Sequence, residues 1–139
     1  MAISFRIFPA KGLVYVRYSG FATLDEGFAA FGQYAHHPDF RPGQKQLVDL
    51  AEITGMEKDY VKLFALQAKK AEIFMGSGGA QTLIVYHAPT PLSYALAQQV
   101  LKSWEPTTAV IPLVQEDEAG ALEILGQPER SFHELLQGA

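Results

Sequence analysis

Cysteine is absent from the 139-residue chain. That absence excludes disulfides, thiolate zinc sites and a cysteine nucleophile. Long apolar runs are missing as well, and none reaches the length that crosses a bilayer. No membrane span is therefore expected. The start, Met1-Ala2-Ile3-Ser4-Phe5-Arg6, alternates polar and apolar residues and lacks the charged opening and apolar run of a signal peptide. The expected compartment is the cytoplasm. Basic residues are few, with 11 Lys and Arg against 15 Asp and Glu and a net charge of −4. An acidic chain repels a nucleic-acid backbone unless its cations cluster. The densest group, Lys58, Lys62, Lys69 and Lys70, reads as the solvated face of one helix. No nucleic-acid partner is expected.

Signatures of chemistry are equally scarce. None of the serines, Ser4, Ser19, Ser77, Ser93, Ser103 and Ser131, lies in a Gly-x-Ser-x-Gly elbow. The run Gly76-Ser77-Gly78-Gly79 follows a helical pattern and lacks the Lys-Ser/Thr pair of a phosphate loop. It reads as a helix stop and turn. His36, His37 and Asp39 are metal-ligating types, but adjacent histidines on a helix diverge by about 100°. They read as a polar helix end. No metal or cofactor is expected.

What the chain does have is apolar bulk. Hydrophobic residues make up 48% and charged residues 19%, with nine Phe, six Tyr and one Trp. That composition builds a core and argues against disorder. The length fits one domain over residues 1–139.

The pattern alternates strands and helices. Ile3 to Phe8 and Leu13 to Tyr18 flank the turn Pro9-Ala10-Lys11-Gly12, which predicts an antiparallel hairpin. Thr23-Leu24-Asp25-Glu26 fits a capping box, and Leu24, Phe28, Phe31 and Ala35 follow at helical spacing. His36-His37-Pro38 ends that helix. Gln46 to Leu50 reads as a strand. Thr54-Gly55-Met56-Glu57 reads as a second capping box, before a helix burying Tyr60, Val61, Phe64, Ala68 and Ala71. Thr82 to Tyr86 is nearly all apolar, as in a central parallel strand. Thr90-Pro91 opens a third helix with Leu92, Leu96, Val100 and Trp104 inward. Ala109 to Val114 is a strand whose Pro112 favours an edge. Asp117 to Leu125 reads as a short final helix, and Ser131 to Leu136 as one added turn. The expectation is an α/β fold with a mixed, largely parallel sheet of about five strands and about four helices.

This order resembles the SpoIIAA-like superfamily, which includes the STAS domains of anti-sigma factor antagonists. It is similar to a bacterial branch grouped under STAS/SEC14-like names. Three stretches carry the resemblance: His37-Pro38-Asp39-Phe40-Arg41-Pro42-Gly43 leading to Leu47-Val48-Asp49-Leu50, Thr90-Pro91-Leu92-Ser93-Tyr94-Ala95-Leu96-Ala97, and Glu116 to Leu125. The resemblance implies a non-enzymatic regulatory module that binds a protein partner. In the antagonists a serine of an Asp-Ser-Ser-Gly stretch at the start of the second helix is phosphorylated. The matching region here, Met56-Glu57-Lys58-Asp59-Tyr60, has no serine, and the acceptor position falls near Asp59. The expected partner surface is Glu57, Lys58, Asp59 and Lys62.

A second expectation is a protein that holds a small apolar ligand or lipid between sheet and helices. The SEC14-like name implies lipid-binding relatives, and Tyr34, Tyr60, Phe64, Phe74 and Tyr94 supply aromatic surface beyond a minimal core. Asp49 and His87 end parallel strands, where ligands bind in open α/β sheets. Thr54 and Glu116 approach the same edge. These four are the candidate ligand contacts. An Asp49–His87 pair within hydrogen-bond reach would also suit acid–base work. A homodimer paired through the edge strand of the first hairpin fits a domain of this kind.

Overall fold

The turn after the first strand fixes the start of the sheet. Pro9–Lys11 form one turn of 3₁₀ helix, and Gly12 follows in the left-handed region at φ 59°. That conformation is open to glycine and costly for other residues. The chain therefore reverses, and β1 (Ile3–Phe8) pairs antiparallel with β2 (Leu13–Ala22). The computed structural model describes residues 3–75 and 81–138, so the Gly76–Gly79 turn lies outside the described residues.

The remaining elements are α1 (Leu24–Ala35), β3 (Lys45–Met56), α2 (Tyr60–Met75), β4 (Thr82–His87), α3 (Pro91–Trp104), β5 (Val110–Gln115), α4 (Glu118–Ile124) and α5 (Phe132–Gln137). The strand order is β1-β2-β3-β4-β5, and every pair after the first is parallel. This is the expected mixed sheet. Sequential parallel strands joined by right-handed crossovers place all their helices on one face. Accordingly Val14, Val48, Ile84 and Tyr86 pack with Phe31, Tyr34, Phe74, Leu96 and Trp104 of α1 to α3. Their strand neighbours Leu13, Tyr15, Leu47 and Val85 point the other way, as strand alternation requires. They pack with Ala121, Leu122, Leu125, Phe132 and Leu135 of α4 and α5.

Two of the three expected helix-start signals hold, those at Thr23 and Thr90. Glu26 N–H donates to Thr23 Oγ1 at 3.2 Å, and Thr90 and Ser93 form a reciprocal capping box with Pro91 in the first turn. The second box does not form. Strand β3 runs through Thr54 to Met56, pairing with the bulged end of β2, where Gly20 takes φ 70°. Bulges of this kind keep two strands paired as they twist. Helix α2 starts at Tyr60 instead, capped by Asp59 Oδ1, which accepts from Lys62 N–H at 3.0 Å.

The buried stripe of α2 also differs from expectation. Leu63, Leu66, Gln67, Ala71 and Phe74 face inward, while Tyr60, Val61 and Phe64 are exposed, Val61 at 82%. Gly27 on α1 accounts for the choice. A Cβ there would lie 3.0 Å from Leu66 Cδ2, so the missing side chain lets α1 approach α2 along the Leu63–Leu66 line. Leu92 is likewise exposed, while Leu96 and Trp104 are buried. Among the described residues no helix is long and apolar enough to cross a membrane.

Candidate functional site

Asp49 and His87 are the last register partners of the β3–β4 ladder. His87 ends β4, but Asp49 lies within β3, which runs on to Met56, and is not the strand end expected. Their side chains meet: His87 Nδ1 lies 2.9 Å from Asp49 Oδ1. An ionised carboxylate only accepts, so Nδ1 carries the proton. Tyr15 of β2 donates to Asp49 Oδ2 at 2.7 Å, and Ala51 N–H donates to Oδ1 at 3.1 Å. All three side chains are buried. Phe132 of α5 covers the group, edge-on to the His87 ring at 4.8 Å and to Tyr15 at 5.6 Å. Glu118 holds that lid by accepting from Phe132 N–H at 2.6 Å.

The electrostatics follow from this closure. Burial pushes the Asp49 carboxyl up, but hydrogen bonds from His87, Tyr15 and Ala51 outweigh it and hold the group below its ordinary value. Burial and then the Asp49 hydrogen bond push the Tyr15 hydroxyl up. Both carboxylate oxygens are occupied from within the protein. The group ties three adjacent strands together beneath α5.

The other candidates do not join it. Thr54 is exposed late in β3, and Glu116 is exposed in the loop before α4. Glu57 accepts from Leu24 N–H at 2.8 Å, and Lys62 pairs with Asp25 at 2.6 Å. With Asp59 capping α2, most of the expected partner surface fastens the start of α2 to the start of α1. Lys58 is exposed. His36 and His37 serve the end of α1: His36 Nδ1 lies 2.8 Å from Gly32 O, and His37 Nδ1 accepts from Asp39 N–H at 3.0 Å.

A cavity of about 100 Å³ lies on the opposite face of the sheet, between β1 to β4 and α1 to α3. Its wall is mostly apolar, built by Val48, Leu50 and Ile84 from the sheet and by Phe31, Leu63, Leu66, Phe74 and Val100 from the helices. Tyr34 and Phe74, two of the aromatic candidates, line it; Tyr60, Phe64 and Tyr94 are exposed instead. Asp49, Thr54, His87 and Glu116 are not part of its wall.

The polar residues that do reach it are Tyr18, Thr23, Tyr34, Gln46, Gln67, Lys70 and Tyr86. Tyr34 Oη donates to Gln44 Oε1 at 2.6 Å and accepts from Gln46 Nε2 at 3.2 Å. Tyr86 Oη accepts from Trp104 Nε1 at 2.9 Å. Burial pushes the Tyr18 hydroxyl up to about 12. Lys70 has its Nζ 5.9 Å from the centroid of the Phe31 ring, and burial pushes its ammonium down to about 8. Gln67 donates through Nε2 to Ser103 Oγ at 2.9 Å, while its Oε1 is enclosed with no hydrogen-bond partner.

Gln67 and Lys70 were hidden in the sequence because the other stripe of α2 carries Tyr60, Val61 and Phe64 and looks the more apolar. The only signal was spacing: Leu63, Leu66, Gln67, Lys70 and Phe74 also fall on one helical face. Tyr15 carried no signal, since its reach to Asp49 depends on the β2–β3 register. No protein-family model and no curated protein matches the chain.

Proposed function

We propose that the protein binds a small apolar ligand in the space between its sheet and helices α1 to α3. The apolar cavity of about 100 Å³ carries this reading. Close-packed interiors seldom leave such a space, and apolar cavities of about 150 Å³ accept a six-carbon ring. The test is methyl NMR during titration with 1-pentanol. Methyl signals of Val48, Leu63, Leu66 and Ile84 shift on saturation, while those of Val85 and Leu122, on the opposite face, stay in place. Unmoved cavity methyls, or equal movement on both faces, would count against a site there. Ala30→Leu, which builds into the cavity wall, abolishes the shifts.

A second reading is a STAS-like protein-interaction module. The exposed side chains of Tyr60, Val61 and Phe64 favour it, because apolar surface grouped on one helix face suits a partner. Val61→Asp removes that character without touching the core. Recovery of the same proteins by wild-type and Val61→Asp baits rules this reading out.

A further inference from the structure

Resting on the cavity reading, we infer that the ligand is a short-chain hydroxy acid, its carboxylate held by Lys70 and its hydroxyl by Gln67. The two residues stand three apart on the inward face of α2, where side chains are neighbours. Both line the cavity.

Each has an unmet requirement that a ligand would satisfy. Gln67 is 3% exposed, and its Oε1 is enclosed without a partner. The orientation of its amide is set from outside. Ser103 donates its hydroxyl proton to Val100 O and so can only accept from Gln67 Nε2. Flipping the amide would face oxygen to an oxygen that has no proton left for it. Gln67 Oε1 is therefore an acceptor in want of a donor, and an enclosed acceptor without one is costly. Lys70 is the complementary case. It is half-buried, it has no ion-pair or hydrogen-bond partner among the described residues, and its Nζ lies over the Phe31 ring. Ammonium groups withdrawn from water call for an anion.

The combination selects the head group. One lysine matches a monoanion, so a carboxylate fits better than a phosphate monoester, which carries nearly two charges. Three of the backbone N–H groups opening α1 are already used: Leu24 donates to Glu57, Glu26 to Thr23 Oγ1 and Gly27 to Thr23 O. They add no anion-binding capacity. The hydroxyl answers Gln67. The rest of the wall takes a hydrocarbon body, and the volume sets it at about five carbons.

Calorimetric titration with 1-pentanol, pentanoate and 2-hydroxypentanoate tests the assignment. The expected order of affinity is 2-hydroxypentanoate above pentanoate above 1-pentanol. Lys70→Met weakens both acids by about tenfold and leaves the alcohol unchanged. Gln67→Leu removes the advantage of the hydroxy acid over pentanoate. Retained pentanol binding shows that each variant is folded; should Lys70→Met fail to fold, Lys70→Gln serves in its place with the same expectation. Equal affinities for the three probes, or acid binding indifferent to Lys70, overturn the head-group assignment and leave the cavity reading intact. If none of the probes binds, the cavity reading fails and this inference fails with it.

Discussion

Asp49 shows how a single buried carboxylate organises three strands. It receives Tyr15, His87 and the Ala51 amide, and each bond is charge-assisted. Asp49→Asn keeps the shape but removes the charge, and it is expected to cost about 2 kcal/mol in chemical denaturation at neutral pH. The pH dependence has a defined sign. The folded carboxyl sits below its ordinary value, so the folded state binds the proton less readily than the unfolded chain. Its stabilisation is complete above the unfolded value and is lost as pH falls through the folded one. The gap between wild type and Asp49→Asn therefore narrows steadily under acid titration. A gap that stays constant down to the lowest pH at which the protein folds would mean that packing, not charge, sets the cost.

Helix α2 carries the difference between what was legible and what was not. Two local devices could be read: Thr23 with Glu26 opens α1 and Thr90-Pro91 opens α3, whereas the equally local Thr54–Glu57 pattern is overridden by the sheet. That Asp49 and His87 share one region of the sheet could also be read, since parallel crossovers set successive strands side by side; that β3 continues past Asp49 to Met56 could not. The phase of α2 could not. Its sequence carries two apolar stripes, and the choice between them depends on Gly27 of a different helix. The extension of β3 from Leu50 to Met56 was hidden for the same reason, as it depends on a bulged partner strand. The phase makes a direct prediction. Val61→Asp changes unfolding free energy by less than about 0.5 kcal/mol, as surface substitutions do. Leu63→Ala, at a buried position, costs about 2–5 kcal/mol. Comparable losses from both would return α2 to the other phase.

At the scale of the whole molecule, the sheet divides two polar systems that the strand-end pattern would join. Tyr15, Asp49 and His87 lie under α4 and α5, and the cavity with Gln67 and Lys70 lies under α1 to α3. Side chains on opposite faces of one sheet share a backbone but no contact. A variant of the Asp49 group is therefore expected to change stability without changing ligand affinity. His87→Gln is the suitable probe, because its amide can still donate to Asp49 while the edge-on contact with Phe132 is lost. We expect a loss of about 1 kcal/mol in unfolding free energy and a 1-pentanol affinity within about twofold of wild type. Lys70→Met gives the reverse pattern for pentanoate, with affinity lost and the fold retained. If His87→Gln weakened pentanol binding as much as Ala30→Leu does, the faces would be coupled. Strands β3 and β4 would then be the connection, since Val48 and Asp49 are adjacent in one and Tyr86 and His87 in the other.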